Sequence, residues 1–249
     1  MSHDFDTIVI GAGVIGLSVA RALSLSKKKV LLIEKEKIIG SGISSRNSEV
    51  IHSGIYYPKN SLKRKLCIRG KSLLIDFCKK NNISFKLIGK LIVATKSDEV
   101  PTLINIYKNG IENGVTDLEI LDKEDIKLHE PELQAEKAIF SPKTGILDSH
   151  SFMISLLADF ENNEGLISKN SSVTSIKNYA NGFAVSVNKE DHFEVTSKEI
   201  INCAGLNAQG ISSLISNLEK KNIPPRYLCK GNYFSYSTKI PFSKLIYPV

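Results

Sequence analysis

Three glycines and one carboxylate carry the first legible chemistry. Gly11, Gly13 and Gly16 follow the apolar run Ile8-Val9-Ile10, and Glu34 follows a second apolar run, Val30-Leu31-Leu32-Ile33. In G-x-G-x-x-G the first glycine makes the strand-to-helix turn and the second lets backbone approach a pyrophosphate. The third lets helix and strand pack closely. The helix that opens there faces phosphate with unpaired N–H groups and the positive end of its dipole. Glu34 lies 18 residues past Gly16, near the roughly 20-residue offset of an acid that holds ribose hydroxyls. The alternative is a glycine-rich turn with no ligand. The complete strand–helix–strand setting favours a dinucleotide.

Further candidates come soon after. Gly40 to Ser48 is a polar, turn-rich loop containing Arg46, Asn47 and Ser48. It offers hydroxyls, N–H groups and one guanidinium to additional phosphate, as a long, extended cofactor would require. A solvent loop is the alternative, but the apolar Val50-Ile51 close behind Arg46 predicts burial and a ligand-facing loop. His52, near Tyr56 and Tyr57, reads equally as a structural histidine and as an acid–base catalyst. His150 reads as an exposed first-turn residue. Ala204 and Gly205, after Ile200-Ile201, allow backbone or cofactor to come close, or make a packing turn.

Periodicity indicates the elements that must position these groups. Strand 6–10, helix 14–25 and strand 30–34 come first, with Lys27, Lys28 and Lys29 at the helix's negative end. A helix over 61–80 is expected to turn Leu62, Leu66, Leu73 and Phe77 to a core and the lysines between Lys59 and Lys71 to solvent. A strand pair follows within 85–94. The next helix has Ser97 as cap, an apolar stripe from Val100 to Ile111, and Gly114 as its end. Strand 118–121, a short helix between Asp122 and Pro131, and strand 138–140 complete a region without a phosphate loop, which reads as an inserted lobe. A helix after Asp148 carries Phe152, Leu156 and Phe160. Segments 166–177, 183–187 and 193–197 predict an antiparallel ribbon around the Asn181-Gly182 hairpin signal. Strands are expected again over 226–236 and 245–247.

Composition bounds the function. With 249 residues, 42% hydrophobic and 24% charged, the chain can bury a sizeable core. No apolar run approaches the ~18 residues of a membrane span, and with so early a first strand no leader peptide is expected. The expectation is a cytoplasmic chain, with peripheral contact at the inner membrane left open. Cys67, Cys78, Cys203 and Cys229 form no C-x-x-C pair, so neither a metal site nor a disulfide frame is expected. The charge of +7 comes from lysines scattered along the chain. No basic stretch interleaved with aromatics points to nucleic acid.

Five stretches occur in a telling order: Gly11-Ala-Gly13-Val-Ile-Gly16, Ser44-Ser45-Arg46-Asn47-Ser48-Glu-Val-Ile-His52-Ser-Gly54-Ile-Tyr56-Tyr57, Gly89-Lys90-Leu-Ile-Val-Ala94, Thr144-Gly-Ile-Leu-Asp148-Ser and Asn202-Cys-Ala-Gly205-Leu. Together they resemble the FAD-dependent L-2-hydroxyglutarate dehydrogenase/oxidase group, within the D-amino-acid-oxidase-like flavoprotein superfamily. The resemblance covers essentially the whole chain. It implies an α/β fold in which a Rossmann-like FAD-binding domain (1–84 and 143–222) is interleaved with a mixed-sheet α+β substrate domain (85–142 and 223–249), incomplete at the C-terminus.

The implied reaction is oxidation of an L-2-hydroxy acid, L-2-hydroxyglutarate first, to the 2-oxo acid, with hydride passing to flavin N5. The resemblance makes His52 the base and Tyr56, Tyr57 and Lys90 weaker candidates for substrate contacts. Gly11, Gly13, Gly16, Glu34, Arg46, Asn47, Ser48, Val173, Ala204 and Gly205 match cofactor-contact stretches. The electron acceptor, quinone or oxygen, stays open. Members of the group continue well beyond the equivalent of Val249, so a fragment or truncated product is expected, and a complementing C-terminal chain is left open. An amine or amino-acid oxidase of the same superfamily and a non-catalytic FAD- or ADP-binding fragment remain as rivals.

Overall fold

The structure, a computed structural model, describes residues 3–189 and 191–249. In chain order its elements are β1 (Phe5–Ile10), α1 (Val14–Leu25), β2 (Val30–Ile33), β3 (Val50–Ile51), α2 (Leu62–Lys80), β4 (Phe85–Lys86), β5 (Lys90–Ala94), α3 (Val100–Glu112), β6 (Glu119–Asp122), α4 (Lys123–His129), β7 (Lys137–Ser141) and β8 (Gly145–Leu147). They continue with α5 (Ser149–Asn162), β9 (Leu166–Ser168), β10 (Ser172–Tyr179), β11 (Gly182–Asn188), β12 (His192–Asn202), α6 (Ala208–Ser212) and β13 (Leu245–Pro248). The chain divides into two compact units. One runs through Asn47 and resumes over Ser149–Gly231, and the other comprises Ser48–Asp148 and Asn232–Val249.

In the first unit the continuous apolar runs of β1 and β2 become central parallel strands, buried on both faces. The sheet order is β10-β11-β12-β1-β2-β9. Strands β12, β1, β2 and β9 run parallel, while β10, β11 and β12 form an antiparallel meander. Ile8, Ile10, Leu31 and Ile33 pack with Ile176, Val185, Val187 and Ile211 on one face. Arg21 of α1 donates from Nε to Asp159 of α5 at 2.8 Å. This is a Rossmann-like arrangement with an appended ribbon.

The second unit has a four-stranded sheet, β13-β5-β7-β6, and a three-stranded sheet, β3-β8-β4. Period-two alternation sends Ile92, Ala94 and Ile139 to one core with Leu103 and Ile55. Leu91, Val93 and Ala138 go to another core with Leu121 and Ile126.

Several expectations change. The unit boundaries fall at 47/48, 148/149 and 231/232, rather than at 84/85, 142/143 and 222/223. The reason is pairing: β3 and β4 both bond to β8, which ties 48–84 to the inserted lobe. Strands β4 and β5 are not partners, since β5 pairs with β7 and β13. Helix α2 turns Arg64, Cys67, Ile68 and Lys71 inward and leaves Leu62, Leu66 and Leu73 exposed. Its inward polar groups have partners that periodicity cannot count: Arg64 donates to the Glu112 carbonyl and Lys71 to Ser53 Oγ. Residues 226–236 form no strand. Ser97 makes no cap, and Glu99 instead accepts from the Thr95 and Lys96 N–H groups.

Candidate functional site

In the first unit the chemistry gathers at the carboxyl ends of the parallel strands, where open α/β sheets bind ligands. Gly11 leaves β1 with φ +103° and donates its N–H to the Ile33 carbonyl at 2.8 Å. A Cβ on Gly11 would lie 2.5 Å from the Cys203 carbonyl oxygen, and one on Gly16 would overlap the Gly11 carbonyl. Those two glycines therefore serve packing between β1, α1 and the turn after β12. Gly13 differs, because a Cβ there would meet only the Ser44 side chain, with Oγ at 2.9 Å.

Ser44 Oγ also accepts the first-turn N–H of Val14 at 2.9 Å, which shows that α1 begins by bonding an oxygen acceptor from outside the helix. Glu34 is 8% exposed. Its Oε2 accepts from the Ala12 N–H at 2.7 Å and its Oε1 from the Glu36 N–H at 2.9 Å. The carboxylate is thus fixed beside the glycine turn.

The loop from Gly42 to Ser48 is exposed except for half-buried Ser44, which corrects the expectation of burial around Arg46. Arg46 Nη1 donates to the Ser45 carbonyl and Oγ, and Asn47 Nδ2 to the Ser44 carbonyl. The loop is self-bonded. Ser48 falls in the other unit. Val173 pairs with Val187 and packs on the sheet's core. Ala204 packs there too, and Gly205, at φ +54°, has open space where a Cβ would stand.

The second unit gathers a different set. Residues 52–57 form a loop pinned from α3. Asn109 Nδ2 donates to the Ile55 carbonyl, and Asn113 Nδ2 to the carbonyls of Gly54 and Tyr57 at 3.1 and 2.8 Å. Within it His52 is half-buried. Burial lowers its pKa from the usual imidazole value, and the charges of Lys90 and Lys63 push the same way. The His52 carbonyl accepts from Cys67 Sγ at 3.6 Å.

Lys63 Nζ stands 4.8 Å from the centre of the Tyr57 ring. Lys90 Nζ stands 4.7 Å from that of Tyr56 and 4.9 Å from that of Tyr247. Burial brings the Lys90 pKa down to about 8 and pushes the Tyr56 hydroxyl up to about 12, with Tyr247 adding to the rise. Burial also raises the Cys67 thiol, against the lowering pull of Lys71, Lys63 and Lys90. Lys71 continues through a hydroxyl relay: Nζ to Ser53 Oγ at 2.9 Å, then Thr144 Oγ1 at 3.1 Å and Ser141 Oγ at 2.9 Å. The structure therefore brings His52, Tyr56, Tyr57 and Lys90 into one cluster and the glycines and Glu34 into another.

Comparison with known proteins gives these clusters a setting. Residues 6–249 match the family described as FAD dependent oxidoreductase. The chain belongs to that family. Among its relatives, the mitochondrial L-2-hydroxyglutarate dehydrogenase of Arabidopsis thaliana is 39% identical over 274 residues, covering 98% of this chain and 57% of that protein. The Homo sapiens enzyme of the same name is 34% identical, covering 97% and 57%. Among solved structures, the dithionite-reduced, FAD-bound L-alpha-glycerophosphate oxidase of Mycoplasma pneumoniae aligns with a TM-score of 0.80 at 29% identity, covering 85% of this chain and 56% of that one. The chain thus spans a little over half the length of these relatives.

The residues of the first unit fit the family's dinucleotide. Gly13 is bare apart from the Ser44 hydroxyl and makes a cradle that a Cβ would fill, α1 opens on an oxygen acceptor, and Glu34 is an immobilised carboxylate at the same strand ends. Ser44, Asn109, Asn113, Cys67, Lys63, Lys71 and Tyr247 were not singled out from sequence. Ser44 had a signal in the hydroxyl-rich loop. The lysines were hidden by their helix pattern, which looks like a solvated face.

Proposed function

We propose that this chain contributes to FAD-dependent oxidation of an L-2-hydroxy acid, with L-2-hydroxyglutarate as the first candidate. The observation that carries the reading is the convergence of the Gly13 cradle, the α1 N-terminus and the Glu34 carboxylate at the ends of β1, β2 and β12. In this reading Gly11, Gly13 and Gly16 admit the pyrophosphate and Glu34 accepts from ribose hydroxyls. Arg46, Asn47 and Ser48 offer further polar contacts to the cofactor, and Val173, Ala204 and Gly205 lie along its path. When bound, FAD supplies the acceptor for the two electrons that leave the substrate carbon as a hydride.

The rest falls to the second unit. His52 takes the hydroxyl proton on its imidazole, and its lowered pKa keeps that imidazole neutral and basic at pH 7. Tyr56, Tyr57 and Lys90 hold the substrate. The names of the relatives support the substrate class. A second reading, a dinucleotide-binding part without turnover of its own, is favoured by the 57% share of the relatives that the chain spans.

Titration of the purified chain with FAD and with NAD, followed by visible absorption and fluorescence, tests the cofactor. FAD should bind and NAD should not, and Gly13→Val should abolish binding by filling the cradle. Tight NAD binding with indifference to FAD would end the proposal.

A further inference from the structure

Lys90 is 1% exposed. Among the described residues its ammonium has no hydrogen-bond acceptor and no ion-pair partner, only the faces of Tyr56 and Tyr247. Such a group calls for an explanation, because native structures rarely bury a charge unpaired. Ring faces attract a cation and offset part of its desolvation, but they leave its three N–H donors unspent.

Among the described residues no carboxylate acts on Lys90; the acid of the cluster, Asp117, pulls on Lys71 and pairs with Lys143 at 3.4 Å. The groups that act on Lys90 or share its cluster are His52, Cys67, Lys63 and Lys71. The buried acid at the base of β13 is occupied elsewhere, since Glu130 accepts from the Ser243 N–H and Oγ and from the Lys244 N–H. That clasp fixes the register of β13 on β5, with Leu245 opposite Lys90 and Tyr247 opposite Ile92. Lys90, Ile92 and Tyr247 therefore share one face of the sheet.

We infer that Lys90, steadied between the Tyr56 and Tyr247 rings, is the receptor for a carboxylate of the substrate. The inference rests on the reading of the substrate as a 2-hydroxy acid and deepens it. The carboxylate is the counter-ion this cation lacks, and the rings hold the ammonium in place without neutralising it. Tyr247 is a positioning residue, acting through Lys90. With Lys63 also free of any ion pair among the described residues, the cluster favours a dianion over a monoanion.

Glutarate, a dicarboxylate with no hydroxyl to oxidise, is the probe, titrated by calorimetry into the 249-residue chain and its variants. Lys90→Met, which keeps the length and removes the charge, should weaken glutarate binding by roughly tenfold or more without lowering the melting temperature, since no ion pair is broken. Tyr247→Phe should bind like the unsubstituted chain. Tyr247→Leu should lose affinity, and it keeps the proposal testable should Lys90→Met not fold. Equal glutarate binding by Lys90→Met and the unsubstituted chain would overturn the inference, as would no binding by the unsubstituted chain at millimolar glutarate. If glutarate binding depends on Lys90 but a bound flavin is never reduced by a hydroxy acid, the oxidation reading fails and the receptor stands.

Discussion

His52 and Lys90 are two titrating groups that burial lowers, His52 further to the acid side of neutral and Lys90 down to about 8, and that sets an expected pH profile. Burial, with the charges of Lys90 and Lys63 adding to it, lowers His52 below its ordinary value of about 6.5. Its basic form therefore dominates at pH 7, and kcat/KM for a 2-hydroxy acid should rise with pH only on the acid side of that value. Lys90 is cationic below about 8, so kcat/KM should fall again above it, and that alkaline limb should vanish in Lys90→Met. His52→Ala should slow flavin reduction by roughly 10²–10⁴-fold with flavin content unchanged. Loss of flavin together with rate would make the residue structural instead. In the other unit, Glu34→Gln replaces an ionised acceptor of two N–H groups by a neutral amide with one acceptor oxygen. FAD affinity should fall by about 1.5–3 kcal/mol, readable as a shift in the titration midpoint. These residues were legible to different degrees. The glycines and Glu34 owe their meaning to spacing along one strand–helix–strand unit, which a sequence displays directly. The unpartnered burial of Lys90 and the role of Tyr247 depend on the pairing of β13 with β5, which no local pattern announces.

Elements set the geometry of the second cluster. Asn109 in the last turn of α3 and Asn113 just past its end hold the carbonyls of Gly54, Ile55 and Tyr57 and so shape the His52–Tyr57 loop. Asn113→Ala leaves two buried carbonyls without this donor. It should destabilise the chain by about 1–3 kcal/mol, seen as a lower urea midpoint, and should speed hydrogen exchange in the 52–57 loop. Unchanged exchange there would show that the loop is held by other means. The limits of α1 and α2 were readable because periodicity and a cap coincide: Ser61 accepts from the Arg64 N–H, and Gly13 stands at the start of α1. The facing of α2 was not readable, because two rows on one helix compete and hydrogen-bonded Arg64 and Lys71 displaced Leu62, Leu66 and Leu73 from the inward side. Likewise 85–94 shows two strand-like runs, yet the sheet partner of each lies more than forty residues away.

At the scale of the whole molecule, the aromatic stretch between Arg226 and Phe242 stands out. Its first part, 226–236, was expected to form a strand, and its composition suits one. Instead Tyr227 is 87% and Phe234 95% exposed, and Leu228, Tyr233 and Tyr236 are exposed as well. Apolar surface of this kind drives association. The purified chain should self-associate with rising concentration in light scattering, and Phe234→Ser combined with Tyr227→Ser should reduce the effect; a strictly monomeric chain would contradict this. Among the described residues no helix is long and apolar enough to cross a membrane. The account as a whole reads a dinucleotide cradle in one unit and proposes a base and a carboxylate receptor in the other. Its most direct test is the visible flavin spectrum of the FAD-loaded protein, recorded without oxygen before and after addition of L-2-hydroxyglutarate. The flavin band should bleach as 2-oxoglutarate forms, and the bleaching should be slowed in His52→Ala. A flavin that stays oxidised with L-2-hydroxyglutarate but is bleached by an amino acid would contradict it.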